Sequence, residues 1–262
     1  MIRYLKLYFS FVKHNINREL QYRPDFFFTL FGRITWFALS IFFFSAIYGH
    51  TTEINGWTLY QALFLVGVFD LIETVMFTLF WMNFSRMPAY INEGELDFIL
   101  IKPVDAQFFT SFYYFSLSFA LSIISPIILI IVSMAKLGLQ IDLWQILIFI
   151  VALLLSMAVF YSLWFLTVIS LFWLNKIYDI QELFVHVFAF MRYPTSIYEG
   201  AVRGVFTFVI PVIFTVIVPV QIMFRALDAK NLLALFLIAG ISFTITRVVW
   251  KLGIKHYSSA SS

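Results

Sequence analysis

From Phe26 to Tyr48 the sequence carries a single charge, Arg33, in an otherwise apolar and aromatic run. As a helix, a run of that length crosses the roughly 30 Å hydrocarbon core of a bilayer, for which about 20 residues suffice. Four more such runs follow, at Leu59–Trp81, Phe108–Ala135, Trp144–Trp173 and Leu232–Trp250. Their backbone groups must be satisfied within the lipid, which leaves helices or a closed barrel. A barrel strand alternates apolar and polar residues over about ten positions, and these runs do not. The pattern predicts an all-α, polytopic helical bundle with one transmembrane domain over residues 1–262.

Composition closes off the other classes. Hydrophobic residues reach 62% and charged residues only 12%, against about 45–50% and about 25% in soluble domains. Disorder needs the opposite balance, and a chain with no Cys has no disulfide framework. None of the ten glycines is followed by Lys, so no phosphate-binding loop exists. His14, His50, His186 and His256 are scattered, without the spacing of a zinc site. With no Gly-x-Ser-x-Gly either, no hydrolase site is expected, and no metal or cofactor is expected in this chain. Asn83-Phe84-Ser85 is a chance sequon on the side read below as cytoplasmic, and Gly200-x-x-x-Gly204 sits among charges.

Residues 1–25 lack the short basic region and cleavage site of a signal peptide. Ile2, Leu5, Phe9, Val12, Ile16 and Leu20 recur at helical spacing, with Arg3, Lys6, Lys13 and Asn17 on other faces. That spacing predicts an amphipathic helix lying on a membrane surface. Lys and Arg in short flanks mark the cytoplasmic side. Arg3, Lys6, Lys13, Arg18, Arg23, Arg86, Lys102, Arg247, Lys251 and Lys255 fall on one side, against Lys136, Arg225 and Lys230 on the other. Both termini are therefore expected in the cytoplasm, which requires an even number of spans, and six is the expectation. The sixth crossing must come from 177–224: either 205–224 crosses, or 177–193 crosses and 196–224 dips in and out from the far side. Hydropathy favours the first, whereas Pro211 and Pro219 favour the second, because broken helices suit a re-entrant segment.

Arg33, Asp70 and Glu73 lie inside apolar runs, where an ionisable group is costly and faces a partner or a cavity. Arg33 and Glu73 sit at matching depth, roughly 13 Å from the same membrane face, so they are expected to pair, locking two helices or else contacting substrate, and leaving Asp70 to a polar neighbour or a partner subunit. The 83–107 loop has four acids and two bases, with Pro88 placed to start a short helix and Gly94 to end it. A short helix held between two spans is a lever on which a cytoplasmic motor could push.

Within that loop, Glu93-Gly94-Glu95-Leu96-Asp97-Phe98-Ile99-Leu100-Ile101-Lys102-Pro103-Val104 resembles the signature of bacterial type-2 ABC exporter permeases. Arg192-Tyr193-Pro194-Thr195-Ser196-Ile197-Tyr198, Thr207-Phe208-Val209-Ile210-Pro211 and Gly253-Ile254-Lys255-His256-Tyr257-Ser258-Ser259-Ala260 resemble the same family, which often has Pro where Glu199 stands. The resemblance implies a bacterial inner-membrane subunit that dimerises with an identical or similar permease. It also implies two cytoplasmic ATPase subunits, which bind the ATP and Mg. Coupling would fall to Arg86, Tyr90, Glu93, Gly94, Glu95, Leu96, Asp97, Lys102 and Pro103. A weak fifth span at 177–193 and an outer re-entrant hairpin at 196–224 would follow, with Pro194, Pro211 and Pro219 at the gate. An ion-coupled secondary transporter or channel using Asp70 and Glu73 is the alternative, and a membrane scaffold a third. Secondary transporters usually carry internal repeats, and none is evident here. Substrate identity is not legible.

Overall fold

The computed structural model describes residues 2–140, 142–174, 180–193, 212–224 and 229–257. Helix α1 (Ile2–Gln21) precedes α2 (Arg23–Tyr48), which restarts at Pro24 after a break at Tyr22. The apolar set on α1 remains exposed at Ile2, Leu5, Phe9 and Leu20, as expected of a face turned to lipid. A second stripe at helical spacing, Tyr4, Tyr8, Phe11, Asn15 and Glu19, turns to the protein. Tyr4 and Tyr8 meet Phe108 and Phe112 edge to face, and Phe11 meets Phe109 and Tyr113 in the same way.

A small antiparallel hairpin, β1 (Glu53–Ile54) and β2 (Trp57–Thr58), joins α2 to the next span. Asn55 and Gly56 turn it with φ of 49° and 79°, the double positive φ of a type I′ turn. Helix α3 (Leu59–Met76) then crosses as the central element, continuing through a π-helical turn at Phe77–Trp81 and on to Ser85. It is apolar on all sides and buried along most of its length, the signature of a helix surrounded by others.

The loop that follows is helical: α4 (Met87–Asn92), α5 (Leu96–Leu100) and α6 (Ala106–Phe112). Hydropathy predicts one helix for the third apolar run, but the structure divides it. It comprises α6, a non-helical step at 113–116, and α7 (Leu117–Leu137). Helices α3 and α7 approach closely at Gly67, where a Cβ would stand 2.9 Å from Ile130 Cγ1. Helix α8 (Leu143–Ile169) starts at Asp142, whose carboxylate accepts from Gln145 N at 2.7 Å.

Helix α9 (Ile180–Ala189) and its 3-10 turn Phe190–Arg192 run for about 20 Å, short of the roughly 30 Å hydrocarbon core. Gln181 donates to Ser85 Oγ at one end of the bundle, and Arg192 reaches the middle of α3. Helix α10 (Val212–Phe224) takes over where α9 stops. Thr215 Oγ1 lies 3.2 Å from Met191 Sδ, and Phe224 packs on Phe64 and Trp57 at the opposite end. Pro219 sits inside α10 and has no N–H to give to the turn before it. Neither 177–193 nor 205–224 is a full-length span among the described residues. Pro194, Pro211 and most of the expected 196–224 hairpin lie outside them. Helix α11 (Ala229–His256) closes the bundle, with Trp250 packed on Phe165 and Phe172.

Five helices among the described residues are long and apolar enough to cross a membrane: Arg23–Tyr48, Leu59–Asn92, Leu117–Leu137, Leu143–Phe172 and Ala229–His256. The core between them is strongly aromatic, with Phe80, Phe84, Tyr161, Trp164 and Phe165 in mutual contact.

Candidate functional site

Four charges meet in the middle of the bundle. Arg33 Nη2 of α2 lies 3.1 Å from Glu73 Oε2 of α3 and 3.1 Å from Thr74 Oγ1. Asp70, one turn from Glu73, accepts from Arg192 Nη2 at 3.1 Å, and that guanidinium stands 3.9 Å from Glu73 as well. Arg192 Nη1 reaches Ser40 Oγ on α2 at 3.3 Å. Aromatic faces line the site: the Arg33 guanidinium lies over Phe77 and Phe119, and that of Arg192 over Phe69 and Trp36.

Two acids and two bases cancel, which is what lets ionised groups stay in an apolar interior. Sequence depth matching identifies Arg33 and Glu73 as partners, but Asp70's partner is missed. Arg192 closes the apolar run Leu183–Met191, and that position was the available signal. The cluster joins α2, α3 and the end of α9.

A second constellation holds the break at 113–116. Backbone groups that leave a helix at this depth need partners, and side chains distant in sequence supply them. Asn15 Nδ2 donates to the Tyr113 carbonyl at 2.7 Å. Asn83 takes Tyr114 from both sides, donating to its carbonyl and accepting from its N–H, each at 2.9 Å. Ser116 N donates to the Thr78 carbonyl at 3.1 Å, beside the π-helical turn. The Glu19 carboxylate then accepts from the N–H groups of Leu117 and Ser118 at 2.6 and 3.0 Å, and from the hydroxyls of Ser116 and Ser118. An anion at a helix N-terminus is electrostatically favoured. Helix α1 is thus bolted to the start of a membrane span by Asn15 and Glu19.

The loop expected to meet a motor divides into anchors and outward groups. Tyr90 and Leu96 are buried with Met87, Ile91 and Ile99 and anchor the loop to the bundle. Arg86, Glu93, Glu95, Lys102 and Pro103 are exposed, as are Phe98 and Ile101 at 69% and 80%. Gly94 turns the chain between α4 and α5 with φ of 82°, a left-handed conformation that favours glycine. Asp97 lies beside Tyr257, whose phenol burial and that carboxylate together push up to about 12.

From the loop, contacts lead back to α1 and α11. Arg3 donates to the Pro103 carbonyl at 2.8 Å, and Asp105 N donates to Tyr4 Oη at 3.2 Å. The Lys102 ammonium sits 4.2 Å from the Phe109 ring centroid. Arg247 of α11 forms a two-pronged ion pair with Asp105 and donates to Gln107 Oε1 at 2.7 Å. Hydrogen bonds from that guanidinium hold the Asp105 carboxyl below the usual carboxylate range.

Among the described residues no cluster of His, Cys, Asp and Glu could hold a metal ion. No curated protein matches the chain significantly. The family described as ABC-2 family transporter protein matches residues 34–261, nearly the whole of the bundle, and no ATPase domain is found in the chain. Several membrane-spanning helices and a family match over most of the sequence lead to one assignment: the chain belongs to the ABC-2 transporter family, as a multi-pass membrane permease.

Proposed function

We propose that this chain is the transmembrane subunit of an ATP-driven exporter. Separate cytoplasmic ATPase subunits, two per complex, would bind ATP and Mg, and a second identical or similar permease would complete the pathway. The observation that carries the reading is the wiring of the 83–107 loop. Its outward groups, Glu93, Glu95, Phe98 and Ile101, stand clear of the bundle, with Lys102 exposed beside them. Its far end is tied to α1 through Pro103 and Asp105, and α1 in turn holds the 113–116 break. A push on α5 therefore has a hydrogen-bonded route to the foot of α7. Gly94 supplies the turn that sets α5 outward, and Arg86 and Asp97 flank the contact surface.

Both termini lie in the cytoplasm, on the distribution of Lys and Arg, and the membrane is the bacterial inner membrane that the family resemblance implies. The segment 177–193, which holds α9, supplies the remaining crossing, and α10, whose Thr215 meets Met191, belongs to the hairpin that follows it. The segment 196–224, with Pro194, Pro211 and Pro219, forms the outer gate. Asp70 and Glu73 are each within ion-pair distance of an arginine, which favours a structural lock over an ion carrier.

Purification from native membranes in mild detergent, with mass spectrometry of what accompanies the chain, tests this. A soluble ATPase should be recovered with the wild type and lost with Glu95→Ala/Asp97→Ala. Its absence under conditions that preserve other membrane complexes refutes the proposal.

A further inference from the structure

We propose that the cleft between α3, α6, α8 and α11 is a binding site for an acidic phospholipid, with one acyl chain inside and the phosphate at Arg247. The cleft has a volume of about 620 Å3, within the roughly 300–1,000 Å3 of small-molecule sites. Met76 and Leu79 wall it on one side, Phe112 on a second, Leu154 and Ala158 on a third, and Phe243 closes it. Water held there would need two to four polar partners, and these walls offer none. A flexible hydrocarbon chain matches them.

One end is different. Asp105, Gln107, Tyr161 and Arg247 line it, and they form a connected network. Arg247 binds Asp105 and Gln107, Gln107 Nε2 lies 3.3 Å from Tyr161 Oη, and Ser111 Oγ lies 2.9 Å from the same phenol. Gln107 and Tyr161 are buried, whereas the Arg247 side chain is 38% exposed. Its guanidinium is therefore fixed in direction yet reachable from the membrane side. Arg3, held by the Pro103 carbonyl two residues before Asp105, brings a second cation to this end of the loop. Fixed guanidinium groups suit phosphate, and basic residues at this level draw acidic lipids to a membrane surface.

The site does not depend on the exporter reading. It requires only that the bundle sit in a bilayer, and a lipid seated there would wedge α6 against α8 and α11.

The test uses the full chain in nanodiscs of equal parts phosphatidylglycerol and phosphatidylethanolamine. The lipid retained after mild detergent extraction is read by native mass spectrometry. Wild type should keep one phosphatidylglycerol, and Ala158→Trp, which fills the cleft, should lower that occupancy on the order of tenfold. Arg3→Gln should shift retention away from phosphatidylglycerol, while Ile128→Phe on the lipid-facing side of α7 should change nothing. A phosphatidylglycerol with a photoreactive acyl chain covers the case in which Ala158→Trp does not fold. Its adducts in wild type should map to peptides containing Leu79, Leu154, Ala158 and Phe243. Equal retention of both lipids, adducts confined to other surfaces, or loss of dimer rather than lipid in Ala158→Trp would each overturn the proposal.

Discussion

Replacing Glu73 by Gln leaves Asp70 alone against two guanidinium groups in the middle of the membrane. Arg33 and Glu73 are 3.1 Å apart with side chains 18% and 8% exposed, so solvent screens them little. At a charge separation of about 4 Å and an effective dielectric of about 20, their attraction is about 4 kcal/mol. Breaking one partner of a buried pair costs about 3–5 kcal/mol, because the remaining charge is stranded. Neutral hydrogen bonds between membrane helices average only about 0.6 kcal/mol, so the two descriptions of this contact are well separated in magnitude. Removing both partners, Arg33→Gln/Glu73→Gln, leaves Asp70 and Arg192 to neutralise each other at 3.1 Å. The double variant should therefore be more stable than either single, with a coupling of about 2–3 kcal/mol. Equilibrium unfolding in mixed micelles, read by aromatic fluorescence, gives the cycle. Single substitutions costing under about 0.6 kcal/mol, or costs that simply add, would refute the ionic lock.

Other contacts yield sharper local tests. Glu19→Ala removes the acceptor for the N–H groups of Leu117 and Ser118 and should cost about 1.5–3 kcal/mol. A protease site placed after Gln21 should then be cut faster, because α1 would leave the bundle more often. Gly67→Val should block the approach of α3 to Ile130 and lower the yield of folded protein, whereas Gly240→Ala, with open space around it, should not. The lowered pKa of Asp105 fixes a pH window. Its ion pair adds stability above the unfolded value of about 3.9 and loses it as pH falls toward the folded value. Wild type and Asp105→Asn should therefore differ in melting temperature by a constant amount from neutral pH down to about pH 5, then converge in stronger acid. A gap that widens on acidification would contradict that.

Hydrocarbon imposes simple demands, which is why much of this architecture is legible in sequence. Unbroken apolar runs mark α2, α3, α8 and α11 within a few residues, and equal depth identifies the Arg33–Glu73 contact. The break at 113–116 was hidden because Tyr-Tyr-Phe-Ser contains neither Pro nor Gly. What holds it open is Asn15, Glu19 and Asn83, residues distant in sequence whose side chains take over backbone bonds. The role of Arg192 is not legible for a related reason: its partner Asp70 is 122 positions away. The Asn55-Gly56 hairpin carries a clear turn signal in a short connection without Lys or Arg. In the 83–107 loop the residue pattern predicts one short helix, from Pro88 to Gly94, but neither α5 nor which side faces outward, because Tyr90 and Leu96 are anchored by tertiary packing.

The central claim is that an ATPase docks on the face of α5 and that this face is cytoplasmic. The chain has no Cys, so single-cysteine variants Phe98→Cys and Glu53→Cys report from opposite ends of the bundle without background. Each is treated in intact native membranes with a photoreactive thiol cross-linker, and the partners are identified by mass spectrometry. The account predicts a cross-link from position 98 to a soluble ATPase subunit, and none from position 53. A cross-link to that ATPase from position 53, or no ATPase from position 98 while the permease itself is recovered, would contradict it.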